Sequence, residues 1–540
     1  MSLGSVIRPS LITGLWVATL TACSSGDLQL VVGTASGSIE GAYSSDESDV
    51  LAFRGVPYAA PPVKDLRFRP PAEPLPWEGV RTAYDIGAPC WQAVGPVSES
   101  VFSRGQLDIS EDCLYLNVFA PVTSVEGGAP VLVWYHGGGN TAGHGGAEIF
   151  DGSALAKKGA VVVTANYRLG VFGFLAHPAL TAESEHSSSG NYGLLDQIAA
   201  LQWVQENITA FGGDPERVTI FGQSAGSRDV CLLMASPLAK NLFHRVIGHS
   251  GGCFSQPPNL EESHTSGLAR ALRVSIEGEG NQAAAALRAM SSADLYSGMR
   301  GGGGPIADGW VVPRAPWEIF LTGEHNQVPV IVGAMANERK SLGANTPERP
   351  RDILEGRIRN TWGEQTSAVL DAYHELIEES TKSAEQRIGT DSGYVWQART
   401  WARTLEAVGG TAYVYHFTYP NPVFRLYVPN QPELVAYPGG RRGMGAYHSG
   451  DLAYTFGTLD RVGLGWNDWD RTLSNTLMNY WINFARTGDP NGAGLPHWPA
   501  YQATEDLVLE FGEDIAAIPH PRAKLLDIFD AARPAPNERR

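Results

Sequence analysis

Short runs of apolar residues recur through the middle of the chain. Residues 131–135 read V-L-V-W-Y, and residues 160–165, 218–221 and 328–332 are similar in length and character. A strand buried on both faces has no polar side, so these runs predict parallel strands within a covered sheet. Between them, apolar residues recur at helical spacing over residues 194–208. Strands alternating with helices predict an α/β fold, in which a large, mostly parallel sheet carries helices on both faces.

Two further segments carry a mainly helical pattern. Residues 259–308 are rich in small side chains and include four consecutive glycines, 301–304, which predict a flexible break. Residues 355–407 form the second segment. Ligands bind at the carboxyl edge of sheets of this kind. We therefore expect both segments to be helical cap insertions over that edge.

The third apolar run leads directly into residues 222–226, which read G-Q-S-A-G. This is G-x-S-x-G between a strand and a helix, the arrangement of a nucleophile elbow. The glycines let strand and helix approach closely, so the serine sits on a tight turn with its hydroxyl exposed. The N–H groups at the start of the following helix favour negative charge at the same point. Ser224 is therefore the candidate nucleophile.

A second glycine motif follows the first apolar run, where residues 136–140 read H-G-G-G-N. Consecutive glycines leave backbone N–H groups open to a ligand. A motif of this type supplies half of the oxyanion hole in α/β-hydrolases, and the amide after the nucleophile supplies the other half. The candidate donors are Gly138, Gly139 and Ala225. The spacing of a nucleotide phosphate loop is absent from this motif.

Several longer motifs make the chain resemble the type-B carboxylesterase/lipase family, which includes cholinesterases and para-nitrobenzyl esterases. They are residues 53–59 (FRGVPYA), 111–117 (EDCLYLN), 190–197 (GNYGLLDQ), 211–215 (FGGDP) and 481–485 (WINFA). The resemblance extends from about Val32 to Tyr501. It implies the α/β-hydrolase fold and a serine carboxylesterase that hydrolyses esters to acid and alcohol through an acyl-enzyme. One departure is Gln223, because the family usually has Glu before its nucleophile.

A serine hydroxyl becomes a good nucleophile when a base takes its proton, and the chain order in this fold is serine, acid, histidine. Glu338 lies just past the run at 328–332, where a carboxylate can orient a histidine. Asp308 and Asp451 are the alternatives; the first suits a turn, and the second suits a cap on the following segment. The loop A-Y-H-S-G-D-L around His448 resembles the catalytic-histidine loop of the family. The other downstream candidates are His325, His374, His416, His497 and His520. The resemblance thus implies a triad of Ser224, Glu338 and His448.

The composition and charge of the chain limit the kinds of molecule that it is expected to bind. The chain has 540 residues, 43% of them hydrophobic, and a formal net charge of -17. It shows no run of Lys and Arg that could build a nucleic-acid surface. An acidic protein repels polyanions, so a neutral or cationic small-molecule ester is the expected substrate. The sequence shows no H-E-x-x-H motif and no clustered metal-ligand spacing, and we expect no metal and no organic cofactor.

The N-terminal residues 1–22 resemble an export signal, with Arg8 before an apolar stretch too short to span a bilayer. The residues L-T-A-C that end at Cys23 resemble a bacterial lipobox, in which that cysteine carries a lipid anchor. Ordinary secretion with cleavage near Ala22 is the alternative. We expect residues 23–540 to form a single α/β-hydrolase domain, either anchored in the cell envelope or secreted. The sequence leaves the oligomeric state open.

Four other cysteines would lie in an oxidising compartment after export, where at least one pair should form a disulfide. Cys90 and Cys113 enclose a short loop, and the family carries a disulfide at these positions. Cys253 could pair with Cys231, which could equally be a buried thiol. Two other functions remain open from sequence: a non-catalytic adhesion protein of the same family, and a lipase or polymer esterase acting at interfaces.

Overall fold

The computed structural model describes Met1 and residues 28–44, 48–93, 108–299, 303–343, 346–423, 442–462 and 464–532. The strands are β1 (Val31–Thr34), β2 (Gly37–Glu40), β3 (Ala42–Tyr43), β4 (Val50–Pro57), β5 (Val80–Thr82), β6 (Tyr115–Pro121), β7 (Ala129–Tyr135), β8 (Val161–Ala165), β9 (Gly213–Gln223), β10 (Arg245–His249), β11 (Val330–Met335), β12 (Ala412–Phe417), β13 (Leu507–Phe511) and β14 (Ile515–Pro519). The predicted signal segment and Cys23 lie outside the described residues.

Most of these strands form one sheet. In the described part of the chain it has eleven strands in the order β14-β13-β12-β11-β10-β9-β7-β8-β6-β4-β3, beside a small sheet of β1, β2 and β5. Neighbouring strands from β13 to β8 in this order are parallel. The pairs at the two edges are antiparallel. The predicted large, mostly parallel sheet is confirmed, with antiparallel strands added at its edges.

Helices cover the sheet and extend beyond its carboxyl edge. The α-helices are Ser153–Lys157, Gly170–Phe174, Pro178–Ala182, Tyr192–Asn207, Ala225–Ala235, Leu260–Arg273, Asn281–Ala289, Ser292–Gly298, Pro316–Leu321, Glu338–Leu342, Arg351–Trp362, Thr366–Ala372, His374–Glu379, Thr381–Thr390, Trp396–Ala407, Leu452–Phe456, Leu459–Val462, Asp468–Thr487 and Ala523–Ala532. Short 3-10 turns span Lys64–Leu66, Glu148–Phe150, Ile208–Phe211, Pro237–Ala239 and Gly363–Gln365, and Asp391–Val395 is a π-helical turn. The two segments predicted to be helical insertions are helical.

The apolar runs of the sequence supply both faces of the sheet. In β7, Val131, Val133 and Tyr135 pack into one core cluster, whereas Leu132 and Trp134 pack into the cluster on the opposite face. The first cluster includes side chains of the helices Tyr192–Asn207 and Ala225–Ala235, and the second includes side chains of Asp468–Thr487. Each large apolar side chain buried in this way contributes about 1.5–3 kcal/mol of transfer free energy. Burial on both faces explains why the strands lack the polar alternation of a half-exposed sheet.

The described part of the chain contains no helix that combines the length and apolar character needed to cross a membrane.

Candidate active site

Ser224 lies on a sharp turn between a strand and a helix. β9 ends at Gln223, and the helix Ala225–Ala235 begins one residue after the serine. The serine backbone has φ 58° and ψ -118°, a conformation that non-glycine residues rarely adopt. Its amide donates a hydrogen bond to the carbonyl oxygen of His249, at the end of β10, over 2.8 Å. The structure thus has the sharp strand–turn–helix elbow that the sequence predicted around this serine.

The two glycines of the elbow are required by close backbone contacts. A Cβ atom added to Gly222 would lie 2.5 Å from the carbonyl carbon and oxygen of Gly226. A Cβ on Gly226 would lie 2.0 Å from the carbonyl oxygen of Tyr135, at the end of β7. Both distances are far below van der Waals contact. The spacing G-x-S-x-G therefore allows the helix to pack directly on the ends of the two central strands.

The glycine loop after β7 lies beside the elbow. Gly138 has φ 105° and Gly139 has φ 66°, both in the left-handed region that favours glycine. A Cβ on Gly138 would lie 2.1 Å from the carbonyl oxygen of Ala142. Gly139, Ser224 and Ala225 line the same cavity. Because Ala225 begins a helix, its N–H group has no partner within that helix and can face a bound oxygen.

A buried polar network holds this glycine loop. The side chain of Asn140 donates to Asp229, which also accepts a hydrogen bond from Gln197, over 3.0 and 2.9 Å. The Tyr167 hydroxyl donates to the carbonyl oxygen of His136 over 2.7 Å, and their rings stack with centroids 4.5 Å apart. Burial lowers the pKa of His136 to about 3, so this imidazole is neutral and packs as a core ring. Sequence reasoning placed the glycines but missed these supporting side chains.

The structure brings Glu338 and His448 together. The Glu338 carboxylate is fully buried, and its Oε2 lies 2.5 Å from the Nδ1 atom of His448. Its Oε1 accepts a hydrogen bond from the amide of Met335, the last residue of β11, over 2.8 Å. A carboxylate at Nδ1 fixes the proton on that nitrogen and leaves Nε2 as the basic nitrogen. The arrangement is that of a base with its orienting acid.

Gln223 contacts the other nitrogen of the same imidazole. Its side-chain nitrogen Nε2 lies 3.1 Å from Nε2 of His448. Since Nδ1 of His448 faces a carboxylate, the contact is a hydrogen bond donated by the amide. The amide oxygen is packed close to Gly137, where a Cβ atom would lie 2.7 Å from it. A neutral group thus lies next to the basic nitrogen, at the position where the family usually has Glu.

We expect Gln223→Glu to move the acid limb of the kcat/KM profile to higher pH, by on the order of one unit. A carboxylate at this contact would stabilise the imidazolium form of His448, which cannot act as a base. The measurement is the pH dependence of p-nitrophenyl butyrate hydrolysis between pH 4 and 9. Gln202→Glu adds the same charge on the exposed face of the helix Tyr192–Asn207 and should leave the profile in place. An unmoved acid limb in Gln223→Glu would show that the contact is absent in solution.

The cavity at Ser224 has a volume of about 520 Å³ and lies under both helical insertions. Gly304 and Pro305 come from the first insertion, and Gly389, Tyr394 and Gln397 come from the second. The Tyr394 ring lies 5.1 Å from the imidazole of His448. Burial raises the pKa of Tyr394 to about 12, so its hydroxyl stays neutral at ordinary pH. The insertions thus supply walls of the site, as the sequence predicted for caps.

Two disulfides are formed among the described residues. Cys90 is joined to Cys113, as the family resemblance implied. Cys231 is joined to Cys253, a pairing that the sequence left open and that excludes a free thiol at Cys231. The second bond ties the helix after the nucleophile to the loop that lines the cavity. A bond closing a loop of this size contributes about 3 kcal/mol, mainly by restricting the unfolded chain.

The alternative acids have other partners. Asp308 accepts hydrogen bonds from the amides of Trp310 and Val312, as expected of a turn residue. Asp451 does not cap the following helix with its side chain, so that expectation was wrong. Its carboxylate is buried and bonds to Nδ1 of His249 over 2.9 Å. A buried carboxylate needs polar partners, and here the imidazole bonds to Oδ2, whereas Oδ1 has no hydrogen-bond partner among the described residues.

The remaining histidines and Trp91 lie elsewhere. His325 stacks on Phe320, His374 pairs with Glu378 on an exposed helix, the rings of His416 and His520 lie 6.0 Å apart, and His497 is exposed. The Trp91 ring packs against the rings of Phe172 and Tyr296. Within the described ranges there is also no group of three or more side chains that could hold a metal ion.

An elbow serine, a glycine-rich amide loop and a buried carboxylate–imidazole pair at the carboxyl edge of one sheet define a serine hydrolase of the α/β-hydrolase fold. The carboxylesterase family model matches residues 28–527, and the chain belongs to that family. It is an enzyme that hydrolyses carboxylic esters to acid and alcohol.

Both sequence relatives and solved structures support the assignment to this family. The chain is 36% identical over 512 residues to fumonisin B1 esterase of Sphingopyxis macrogoltabida, covering 92% of this chain and 89% of the relative. It is 35% identical to carboxylesterase 1C of Rattus norvegicus, covering 88% of both. A solved PNB esterase superposes with a TM-score of 0.77 at 29% identity, covering 92% of this chain and 99% of the other. Carboxylesterase EST55 of Geobacillus stearothermophilus gives 0.79 at 32% identity, covering 94% and 100%.

Proposed function

We propose that Ser224, His448 and Glu338 form the catalytic triad of this esterase. Ser224 is the nucleophile, His448 accepts its proton through Nε2, and Glu338 orients the imidazole and stabilises its protonated form. We also assign the amides of Gly138, Gly139 and Ala225 to the oxyanion hole. The observation that carries the proposal is the 2.5 Å contact between Glu338 and His448, whose imidazole centroid lies 5.1 Å from that of Tyr394 in the wall of the cavity that holds Ser224.

Acylation follows from this assignment. As Oγ of Ser224 attacks the ester carbonyl carbon, its proton passes to Nε2 of His448. The side-chain amide of Gln223 gives up its hydrogen bond to that nitrogen in this step. The carbonyl oxygen becomes an oxyanion, and each amide hydrogen bond to it is worth about 3 kcal/mol of transition-state stabilisation. The imidazolium then donates its proton to the leaving alcohol oxygen as the bond from that oxygen to the carbonyl carbon breaks. The alcohol leaves, and the acyl group remains on Ser224.

Deacylation repeats these steps with water. A water molecule gives a proton to Nε2 of His448 and attacks the acyl carbon, and the same amides stabilise the second oxyanion. The imidazolium returns the proton to Oγ of Ser224 as the acid is released. Because acylation and deacylation share one acyl-enzyme, a single imidazole can donate a proton to the leaving alcohol in the first reaction and accept one from water in the second. The residues assigned here supply every proton transfer in the cycle.

Partition of the acyl group between water and methanol tests the acyl-enzyme directly. We expect phenyl butyrate and p-nitrophenyl butyrate to give the same ratio of methyl butyrate to butyrate, because both form one intermediate on Ser224. The products can be measured by gas chromatography at several methanol concentrations. A ratio that depends on the leaving group would show that water attacks the bound ester directly. Absence of ester cleavage altogether would favour the non-catalytic alternative.

We further propose that the protein is exported, with residues 1–22 as its signal, residues 23–540 as one hydrolase domain, and a lipid on Cys23. Two disulfides among the described residues support an oxidising compartment. The motif that ends at Cys23 supports the lipid. Mass spectrometry of the N-terminal peptide from the native host should show an acylated Cys23. An unmodified cysteine, or a chain that starts elsewhere, would contradict the anchor.

A further inference from the structure

Two arginines line the cavity at Ser224, which lies in an otherwise acidic protein. They are Arg228, four residues after the nucleophile, and Arg339, directly after the acid of the proposed triad. None of the residues that the structure places in the cavity wall is Asp or Glu. The formal charge of the whole chain is -17, so the local charge of the site is opposite to that of the molecule. The charged side chains of the cavity wall are thus opposite in sign to the net charge from which a neutral or cationic substrate was expected.

Arg228 occupies a position that costs stability. It lies in the first turn of the helix Ala225–Ala235, where the partial positive charge of the helix end disfavours a cation. Its Nε atom is buried, with no hydrogen-bond partner among the described residues. The neighbouring carboxylate of Asp229 is already bonded to Asn140 and Gln197. A buried Nε atom without a hydrogen-bond partner in this place is explained if an anionic ligand bonds to it.

Arg339 reaches the cavity from a different element, the helix Glu338–Leu342. This arginine follows Glu338, whose carboxylate bonds to His448, and its side chain forms a hydrogen bond with Tyr394 in the cavity wall. A Cβ atom on Gly389 would lie 3.2–3.6 Å from the aliphatic and Nε atoms of Arg339. Likewise, a Cβ on Gly304 would lie 3.2 Å from a terminal nitrogen of Arg228. Glycines in both helical insertions thus leave room for the two guanidinium side chains.

We propose that the cavity selects esters that carry a carboxylate a few bonds from the scissile carbonyl, such as half-esters of dicarboxylic acids. Arg228 and Arg339 are specificity-determining residues that bind this carboxylate, because guanidinium groups match it with paired hydrogen bonds. The proposal rests on Ser224 as the nucleophile, since it places the anion in the cavity of that serine. It departs from the expectation of a neutral or cationic substrate, which rested on net charge.

The test compares esters that differ in one carboxylate. On the acyl side the pair is p-nitrophenyl hemiglutarate and p-nitrophenyl valerate, which have the same number of acyl carbons. On the alcohol side the pair is 4-carboxyphenyl butyrate and phenyl butyrate. We expect at least one pair to show a kcat/KM ratio of ten or more in favour of the anionic ester at low salt. The pair that shows it identifies which half of the ester faces the arginines.

Variants connect the preference to the two side chains. Arg228→Gln and Arg339→Gln should each lower the anionic-to-neutral ratio about tenfold, which corresponds to about 1.4 kcal/mol. Arg339 is exposed, so its replacement tests the idea even if Arg228→Gln folds poorly. Arg351→Gln removes the same charge from an exposed helix and should leave the ratio unchanged. Arg228→Lys should retain part of the preference, because lysine keeps the positive charge but lacks the paired N–H donors of the guanidinium group.

Two results would overturn the proposal: ratios near or below one for both ester pairs, or ratios that do not change in the Gln variants. Neither result would affect the assignment of Ser224, because hydrolysis of p-nitrophenyl valerate by the wild-type enzyme reports on the triad independently. Conversely, loss of all ester hydrolysis would reject the proposed function before the ratio could be formed. The two failures are therefore distinguishable in one set of assays.

Discussion

Replacing Ser224 with Ala is expected to lower kcat/KM for p-nitrophenyl butyrate by about five to six orders of magnitude, while the protein stays folded. The variant keeps the glycine loop and the His448–Glu338 pair but removes the oxygen that bonds to the acyl group. The elbow turn is defined by backbone contacts of Gly222 and Gly226, so a small side chain at 224 should be tolerated. The measurement is steady-state hydrolysis together with circular dichroism and thermal unfolding.

Ser227→Ala is the matched control for this loss. Ser227 lies in the same helix turn, and its hydroxyl donates to the carbonyl oxygen of Gly251 over 3.0 Å. Loss of that hydrogen bond should cost about 1 kcal/mol of stability and change kcat/KM less than tenfold. If Ser224→Ala retained more than a hundredth of the activity in a folded state, another nucleophile would have to be sought.

Glu338→Gln is expected to lower kcat by about four orders of magnitude. An amide can still accept a hydrogen bond from Nδ1 of His448, but it lacks the charge that stabilises the imidazolium formed in the transition state. It can also donate to Nδ1 and so hold the imidazole in the wrong tautomer. Kinetics of the purified variant, with thermal unfolding to check its fold, measure the effect.

Asp451→Asn separates this acid from its sequence alternative. Asp451 is also buried beside a histidine, His249, whose ring accepts a hydrogen bond from Trp481 over 3.2 Å. Removing its charge should lower the unfolding temperature and reduce kcat far less than Glu338→Gln does. A greater loss of kcat in Asp451→Asn than in Glu338→Gln would exchange the roles that we assign to the two acids.

The sequence predicted the fold and the site where local patterns and backbone requirements coincide. Strands covered on both faces require uninterrupted apolar runs. The sequence therefore predicted four of them directly, namely β7, β8, β9 and β11. The glycines at 222, 226 and 138 are fixed by backbone contacts within a few residues or with the ends of adjacent strands. Their spacing is therefore a property of the sequence itself, and Ser224 could be located from it.

Features that depend on side chains distant in the chain could not be predicted. β10 was missed because Arg245 and His249 interrupt its apolar character, although its backbone completes the centre of the sheet. The partner of Asp451 is His249, 202 residues away, and nothing near either residue indicates the other. Net charge has a similar limit, because it averages over the whole surface, whereas Arg228 and Arg339 line one cavity.

Covalent labelling tests the central claim, that Ser224 and His448 act on one another as nucleophile and base. The enzyme is incubated with diethyl p-nitrophenyl phosphate, and the product is analysed by intact mass and peptide mapping. We predict one diethylphosphoryl group per chain on Ser224, formed far more slowly in His448→Gln and absent in Ser224→Ala. A label on another residue, or labelling of Ser224 at the same rate without His448, would contradict the account.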